Sequence, residues 1–182
     1  MTTPFPKIRP ERDEDHAAAR DVHRRAFGEE TVATLADALR AAPAPLPPLG
    51  FVAENSDGTV VGHVMLSASR LDAPSRLIDV LVLSPLGVLP QFHGQGIGTR
   101  LIRAALDAAE ARDVPLVFLE GSPAYYAARG FERADELGFR APSLRIPPPG
   151  FQVARLTAYQ PWMTGTLVYS DTFWALDCVG LR

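Results

Sequence analysis

Cysteine is nearly absent. The single Cys178 removes any internal disulfide from the 182-residue chain, and no histidine stands beside it to make it a thiolate nucleophile. Its apolar neighbours mark it as a small buried hydrophobe. The four histidines, His16, His23, His63 and His93, lack the spacing of metal ligands, so no metal is expected. Excess positive charge is also missing: 18 Lys and Arg stand against 21 Asp and Glu, the formal net charge is −3, and the arginines are scattered. No nucleic-acid partner is expected. No apolar run reaches the ~18 to 20 residues of a membrane span, and residues 1–16 hold no apolar segment of a leader. A cytoplasmic protein without a membrane partner is expected, and no internal repeat is visible.

What is present is the balance of a globular domain. Hydrophobic residues make up 47% and charged residues 21%, and a chain of this length buries roughly 70% of its unfolded surface. One domain over residues 1–182 is expected. After a strand near 7–9, two helices are predicted: one over 15–27 with Ala19, Val22 and Ala26 on a stripe, one over 29–40 with Val32, Leu35 and Leu39. The prolines of 42–49 deny that connector a helix. Residues 51–69 read as a hairpin turning through Asn55 to Gly58.

The almost wholly apolar 77–83 segment reads as a central strand covered on both faces. Pro85 cannot donate to a ladder. Continuation through 86–89 therefore requires a kink or bulge, leaving main-chain groups that the neighbouring strand does not use. From Gly98 a helix places Leu101, Ile102, Ala105 and Ala109 on one face and Arg100, Arg103, Asp107 and Glu110 on the other. A second buried strand at 114–120 completes a β-α-β unit with adjacent parallel strands. A short helix over 122–131, starting at Ser122 and Pro123 and capped by Gly130, precedes strands near 151–159 and 164–170. This order predicts a mixed α/β domain. The tail from Asp171, with Phe173 and Trp174, reads as a cover for the last strands or a contact between copies, leaving monomer and homodimer open.

The segment QFHGQGIGTRL (91–101) has glycines at 94, 96 and 98 and runs into the helix. A helix start offers unsatisfied N–H groups and about half a positive charge, and glycines let a phosphate approach the main chain. A glycine-rich turn that only packs helix on strand is the alternative. The Gly-Lys-Ser/Thr ending of a phosphate loop is absent. A dinucleotide fold is a closer rival, since Glu120 ends the next strand where a ribose-binding acid would lie. Its G-x-G-x-x-G spacing is replaced here by G-x-G-x-G.

Together, GVLPQFHGQGIGTRLIRAAL and VFLEGSPAYYAARGF resemble the GNAT superfamily of acetyl-CoA-dependent N-acetyltransferases, and more narrowly its YhbS-like branch. The resemblance implies a central mixed sheet of about seven strands whose fourth and fifth strands splay, flanked by helices. The family signature, Gln or Arg, two residues, Gly, one residue, then Gly or Ala, falls on His93, Gly96 and Gly98, with His93 departing from it; Gln91, Gly94 and Gly96 satisfy it two residues earlier. It implies a pyrophosphate cradle at Gly94, Gln95, Gly96, Ile97, Gly98 and Thr99, and pairing of the pantetheine arm with the main chain of Leu86, Gly87 and Val88. Tyr126, four residues before Gly130-Phe131, takes the position of the family's general acid.

A phenol of pKa about 10 can protonate a departing thiolate without ionising at neutral pH. Tyr125 points about 100° away on a helix and is expected to be core or substrate wall. For the base, Glu120 is the first choice, with Asp79 and His63 behind it. The expected activity is direct acetyl transfer from acetyl-CoA to a primary amine of a small molecule or peptide, with a non-catalytic acyl-CoA-binding module as the alternative.

Overall fold

The computed structural model describes residues 5–180, so the first four residues of the N-terminal segment and the last two of the apolar tail lie outside it. Its frame is an antiparallel ladder. β1 (Lys7–Pro10) pairs with β2 (Leu49–Glu54), and β2 turns through Gly58, at φ +84°, into β3 (Val60–Asp72). Between β1 and β2 run α1 (His16–Phe27), ended by left-handed Gly28, and α2 (Thr31–Ala41). β4 (Leu77–Val88) lies antiparallel to β3. α3 (Ile97–Glu110) then carries the chain to β5 (Leu116–Glu120), parallel to β4, as the β-α-β pattern required.

The expected helix over 122–131 is shorter: α4 (Pro123–Tyr126) gives way to a 3-10 turn and to Gly130 at φ +90°. β6 (Glu132–Arg133), β7 (Phe139–Arg140), β8 (Phe151–Arg155), β9 (Gly165–Val168) and α5 (Asp171–Ala175) follow. The sheet order is β1-β2-β3-β4-β5-β8-β6, with β9 joining β3 to β7. Nine strands replace the expected seven because β6 and β7 are two residues each, too short for alternation to register. With β4–β5 and β7–β9 its only parallel neighbours among the described residues, the sheet is not the parallel one of a dinucleotide fold.

Side chains of a strand alternate between faces. Val80 and Val82 of β4 and Phe118 of β5 therefore enter one core with Leu35 and Leu39 of α2 and Phe173 of α5. Leu81, Leu83, Val117 and Leu119 enter the other, roofed by Leu101, Ile102 and Ala105 of α3. Each fully buried Leu or Ile contributes about 1.5–3 kcal/mol. On β3, Gly62 abuts Ile97 and Leu101 of α3, and the next residue, His63, turns the other way to His23 of α1. Helices α1 and α2 thus cover the face opposite α3. Phe173 is core; Trp174 is 41% exposed. Among the described residues no helix is long and apolar enough to cross a membrane.

β4 and β5 stay in register only at Leu81–Val117 and Val82–Phe118. Just beyond, Leu83 faces Leu66 while Leu86 faces Val64, so Ser84 and Pro85 bulge opposite the single residue Met65. A bulge bends its strand, and proline removes a donor. From this point β4 runs on without β5.

Candidate active site

The turn after β4 is shaped by its glycines for two different reasons. Gly94 and Gly96 have φ of +76° and +73°, a region that side chains disfavour. Gly96 precedes the first helical residue, Ile97, so α3 begins one residue earlier than its periodicity suggests. Gly98 is helical, and its glycine answers a close approach instead: a Cβ there would stand 2.3 Å from Tyr125 Oη. The first main-chain bond of α3 joins Arg100 N–H to Gly96 C=O at 3.2 Å, and no side chain caps the helix. The amides of Ile97, Gly98 and Thr99 therefore project from its start. This arrangement suits a phosphate.

A cation is held beside these amides. The Arg129 guanidinium stacks 3.6 Å from the Tyr125 ring centroid, donates from Nε to Thr99 Oγ1 at 2.9 Å and also reaches the Tyr125 carbonyl. Gln95 is exposed. His93 is tied to β4, its Nε2–H donating to the Val88 carbonyl at 2.8 Å.

Direction along β4 decides which of Leu86, Gly87 and Val88 can serve a ligand. Leu89 N–H bonds Val61 C=O at 2.9 Å, and the register continues Val88–Gly62, Gly87–His63, Leu86–Val64. Main-chain groups alternate across an antiparallel ladder. Gly87 therefore addresses β3, as Leu89 does, whereas Leu86 and Val88 address the side that β5 has left. Gly87 also serves packing: a Cβ would lie 2.8 Å from His23 Nδ1.

A cleft of about 790 Å³ opens at this point. Its walls are the β4 bulge, the α1–α2 turn from Phe27 to Val32, the end of β5, α4, and the tail from Phe173 to Gly180. Glu120 and Tyr126 both line it, as does Tyr125. Burial drives the Glu120 carboxyl above its ordinary value, against the opposing pull of its hydrogen bonds: Tyr169 Oη–H donates to Oε1 at 2.8 Å and Gly180 N–H to Oε2 at 3.0 Å. The Tyr126 ring lies against Gly121 and meets Phe131 and Tyr125 edge-on at 5.7 and 4.9 Å. Burial, with Tyr125 adding to it and Arg129 opposing it, pushes the phenol up to about 12. It is a proton donor at neutral pH. Tyr125 is wall, 36% exposed.

The two weaker candidates for the base lie elsewhere. Asp79 sits at the exposed end of β4, 3.7 Å from Arg70. His63 is fully buried, its Nδ1 2.7 Å from His23 Nε2 and its Nε2 3.0 Å from Glu11 Oε1, off the ring N–H direction. Neither lines the cleft. Cys178 does, and it is half-buried rather than buried. The sequence reading missed Arg129, Tyr169 and the Gly180 amide. The last two stand 49 and 60 residues from Glu120, and only the folded chain brings them together.

A family model of the acetyltransferase (GNAT) domain matches residues 7–134. The uncharacterized N-acetyltransferase YjhQ of Escherichia coli (strain K12) is 32% identical over 129 residues, 70% of this chain and 71% of that protein. The uncharacterized N-acetyltransferase YhbS of the same strain is 31% identical over 128 residues, 69% and 74% of the two chains. The crystal structure of Escherichia coli YhbS in complex with CoA superposes with a TM-score of 0.84 at 29% identity, covering 95% of each chain. A GNAT family acetyltransferase from Brucella melitensis in complex with acetyl-CoA gives 0.72 at 31% identity, covering 92% of this chain and 97% of that one. The uncapped α3 turn, the splayed β4–β5 pair and these matches agree: the chain belongs to the GNAT family of acetyltransferases, in its YhbS-like branch.

Proposed function

We propose that this acetyltransferase moves the acetyl group of acetyl-CoA to a primary amine of a small molecule or peptide, by direct attack within a ternary complex. One observation carries the reading: Tyr125 touches both halves of the site, its hydroxyl against Gly98 at the start of α3 and its ring in the wall of the Glu120–Tyr126 cleft. An anion turn and a chamber with an acid and a base are thus adjacent. The CoA and acetyl-CoA complexes of the Escherichia coli and Brucella melitensis relatives support the choice of donor.

In this reading the amides of Ile97, Gly98 and Thr99, shaped by Gly94, Gln95 and Gly96 and flanked by Arg129, hold the pyrophosphate. His93 ties the turn to β4. Leu86 offers the pantetheine arm its main-chain groups and Val88 its N–H, the Val88 carbonyl being taken by His93 at 2.8 Å, and an N–H of this pair donates to the thioester oxygen as it gains charge. An amine of pKa about 10 arrives protonated. Glu120, made more basic by burial, takes that proton, directly or through a water. The nitrogen attacks the carbonyl carbon, the C–S bond breaks with its electron pair on sulfur, Tyr126 O–H protonates the thiolate, and the second proton of the attacking nitrogen passes to the Tyr126 phenolate through water, leaving the neutral amide.

The test begins with a panel of benzylamine, tyramine, spermidine, lysine and a short peptide, with CoA release as the readout. On the fastest amine, Tyr126→Phe is expected to lose at least about 100-fold in kcat while binding acetyl-CoA as the parent does in calorimetry. Initial rates with both substrates varied should give intersecting reciprocal lines. Unchanged kcat in the variant overturns the acid, and parallel lines overturn direct transfer.

A further inference from the structure

We propose that Tyr169 and the main-chain amide of Gly180 are a positioning clamp on Glu120, one donor to each carboxylate oxygen, by which the C-terminal segment aims the remaining lone pairs at the acceptor amine. The proposal rests on the reading of Glu120 as the base.

Glu120 is the last residue of β5, where its backbone still pairs with Phe151 of β8 and its side chain leaves the sheet for the cleft. A carboxylate offers about four lone-pair directions. The Tyr169 hydroxyl uses one on Oε1 at 2.8 Å and the Gly180 amide one on Oε2 at 3.0 Å. A carboxylate held on both oxygens cannot swing, and what it presents to the cleft is fixed.

Both clamp members are themselves fixed. Tyr169 lies between β9 and α5, 4% exposed, with its ring stacked on Phe173 at 4.7 Å and 26°. Burial, then the charge of Glu120, holds its phenol well above the ordinary value, so it remains a donor. Gly180 has φ +92°, and a Cβ there would stand 2.9 Å from Arg145 Cβ. That backbone conformation and that space suit glycine, and with glycine the N–H reaches Oε2. Core packing would be served equally by phenylalanine at 169. The hydroxyl needs the carboxylate as its reason.

Other groups also bear on Glu120. Arg145, from the loop before β8, lowers its carboxyl by charge and is itself paired with Asp177 at 2.7 Å. Glu29 of the α1–α2 turn, Tyr125 and Tyr126 of α4, and Asp177 and Cys178 of the tail share its cleft. Against this background, removing the Tyr169 hydroxyl deletes a contact that favours the charged form. The carboxyl then holds its proton to higher pH, and the acid limb of kcat/KM moves up with it.

The experiment titrates Glu120 in the full chain by 13C NMR of labelled glutamate, with the resonance assigned by Glu120→Gln. In parallel, kcat/KM is followed against pH with acetyl-CoA and the fastest amine of the panel. Tyr169→Phe should raise the NMR midpoint and the acid limb together, by about one pH unit, with the KM for acetyl-CoA unchanged. A 3-fluorotyrosine at 169, a stronger donor of the same shape, should move both down, which keeps the test intact where the phenylalanine variant folds poorly. An unmoved midpoint in both variants overturns the clamp. A midpoint that moves while the limb stays overturns the role of Glu120 as base, and with it the catalytic purpose of the clamp.

Discussion

A single methyl group at Gly98 tests the anion turn. In Gly98→Ala the new Cβ would lie 2.3 Å from Tyr125 Oη, well inside contact distance, so the tyrosine must yield. It can do so, because its ring is partly exposed. Its departure unseats Arg129, which stacks on that ring and bonds Thr99 Oγ1 at 2.9 Å. For the fold the change is nearly neutral: alanine is favoured over glycine in a helix by about 1 kcal/mol, and an exposed cation–π contact is worth about 0.5–1 kcal/mol. For the ligand it is not. Losing one charge-assisted contact to a phosphate costs about 1.5–3 kcal/mol, or about 10- to 150-fold in affinity. Calorimetry with acetyl-CoA and thermal unfolding are run side by side. The expected result is an unchanged melting temperature and a Kd raised at least about tenfold. Tyr125→Ala separates two causes: where displacement of Tyr125 is responsible, that change weakens binding alone and adding Gly98→Ala costs nothing more. Wild-type affinity in Gly98→Ala refutes the reading of this turn.

Gly87→Ala is expected to damage stability instead. Its Cβ would press 2.8 Å from Nδ1 of a fully buried His23, an overpacking that costs about 1–3 kcal/mol, read as a lowered denaturation midpoint; a midpoint equal to the parent's refutes that packing. The same cluster predicts acid sensitivity. Burial, reinforced by His63, holds His23 down at about 3, while the unfolded residue takes a proton near 6.5. Stability therefore falls as pH drops below 6.5, by about 1.4 kcal/mol per unit for this histidine, and burial lowers His63 in the same direction. Burial opposes the charge of Glu11, yet His63 and Arg40 beside it hold it at about 2, so its share is lost only at still lower pH. Urea unfolding at pH 7, 6 and 5 reads the slope, and equal unfolding free energies at 7 and 5 refute it.

Legibility followed the range of the interaction. β4, α3 and β5 declare themselves because their apolar periods are local and long, and Pro85 announces the bulge because a missing donor is a property of one residue. Gly94 and Gly96 are legible as backbone requirements. The reason for Gly98 is not, since it lies in the hydroxyl of Tyr125. Glu120 could be nominated from its place at the end of a buried strand, but its partners, Tyr169 and Gly180, come from 49 and 60 residues further along the chain. The family resemblance supplied Tyr126, and the fold supplies the burial that keeps it protonated.

The segment of β4 beyond its bulge raises a mechanical question that the histidine cluster answers. Beyond Val82 this strand has lost β5, and the main-chain groups of Leu86 and Val88 are directed away from β3. A strand held by one ladder alone twists and frays. Behind it, however, α1 presses on Gly87 through His23, with Ala26 Cβ 3.5 Å from the position of a Cβ there. His23 is anchored through His63 to Glu11, and Glu11 to Arg40 of α2 at 2.7 Å. The Glu11 carboxylate, 3.0 Å from His63 Nε2, favours the proton on that nitrogen although the N–H is not aligned on it, so His63 Nδ1 accepts from His23 Nε2–H, leaving His23 Nδ1 as a buried lone pair against Gly87. The polar network thus substitutes for the missing β5 edge from the rear, and glycine at 87 is what allows it to come close enough.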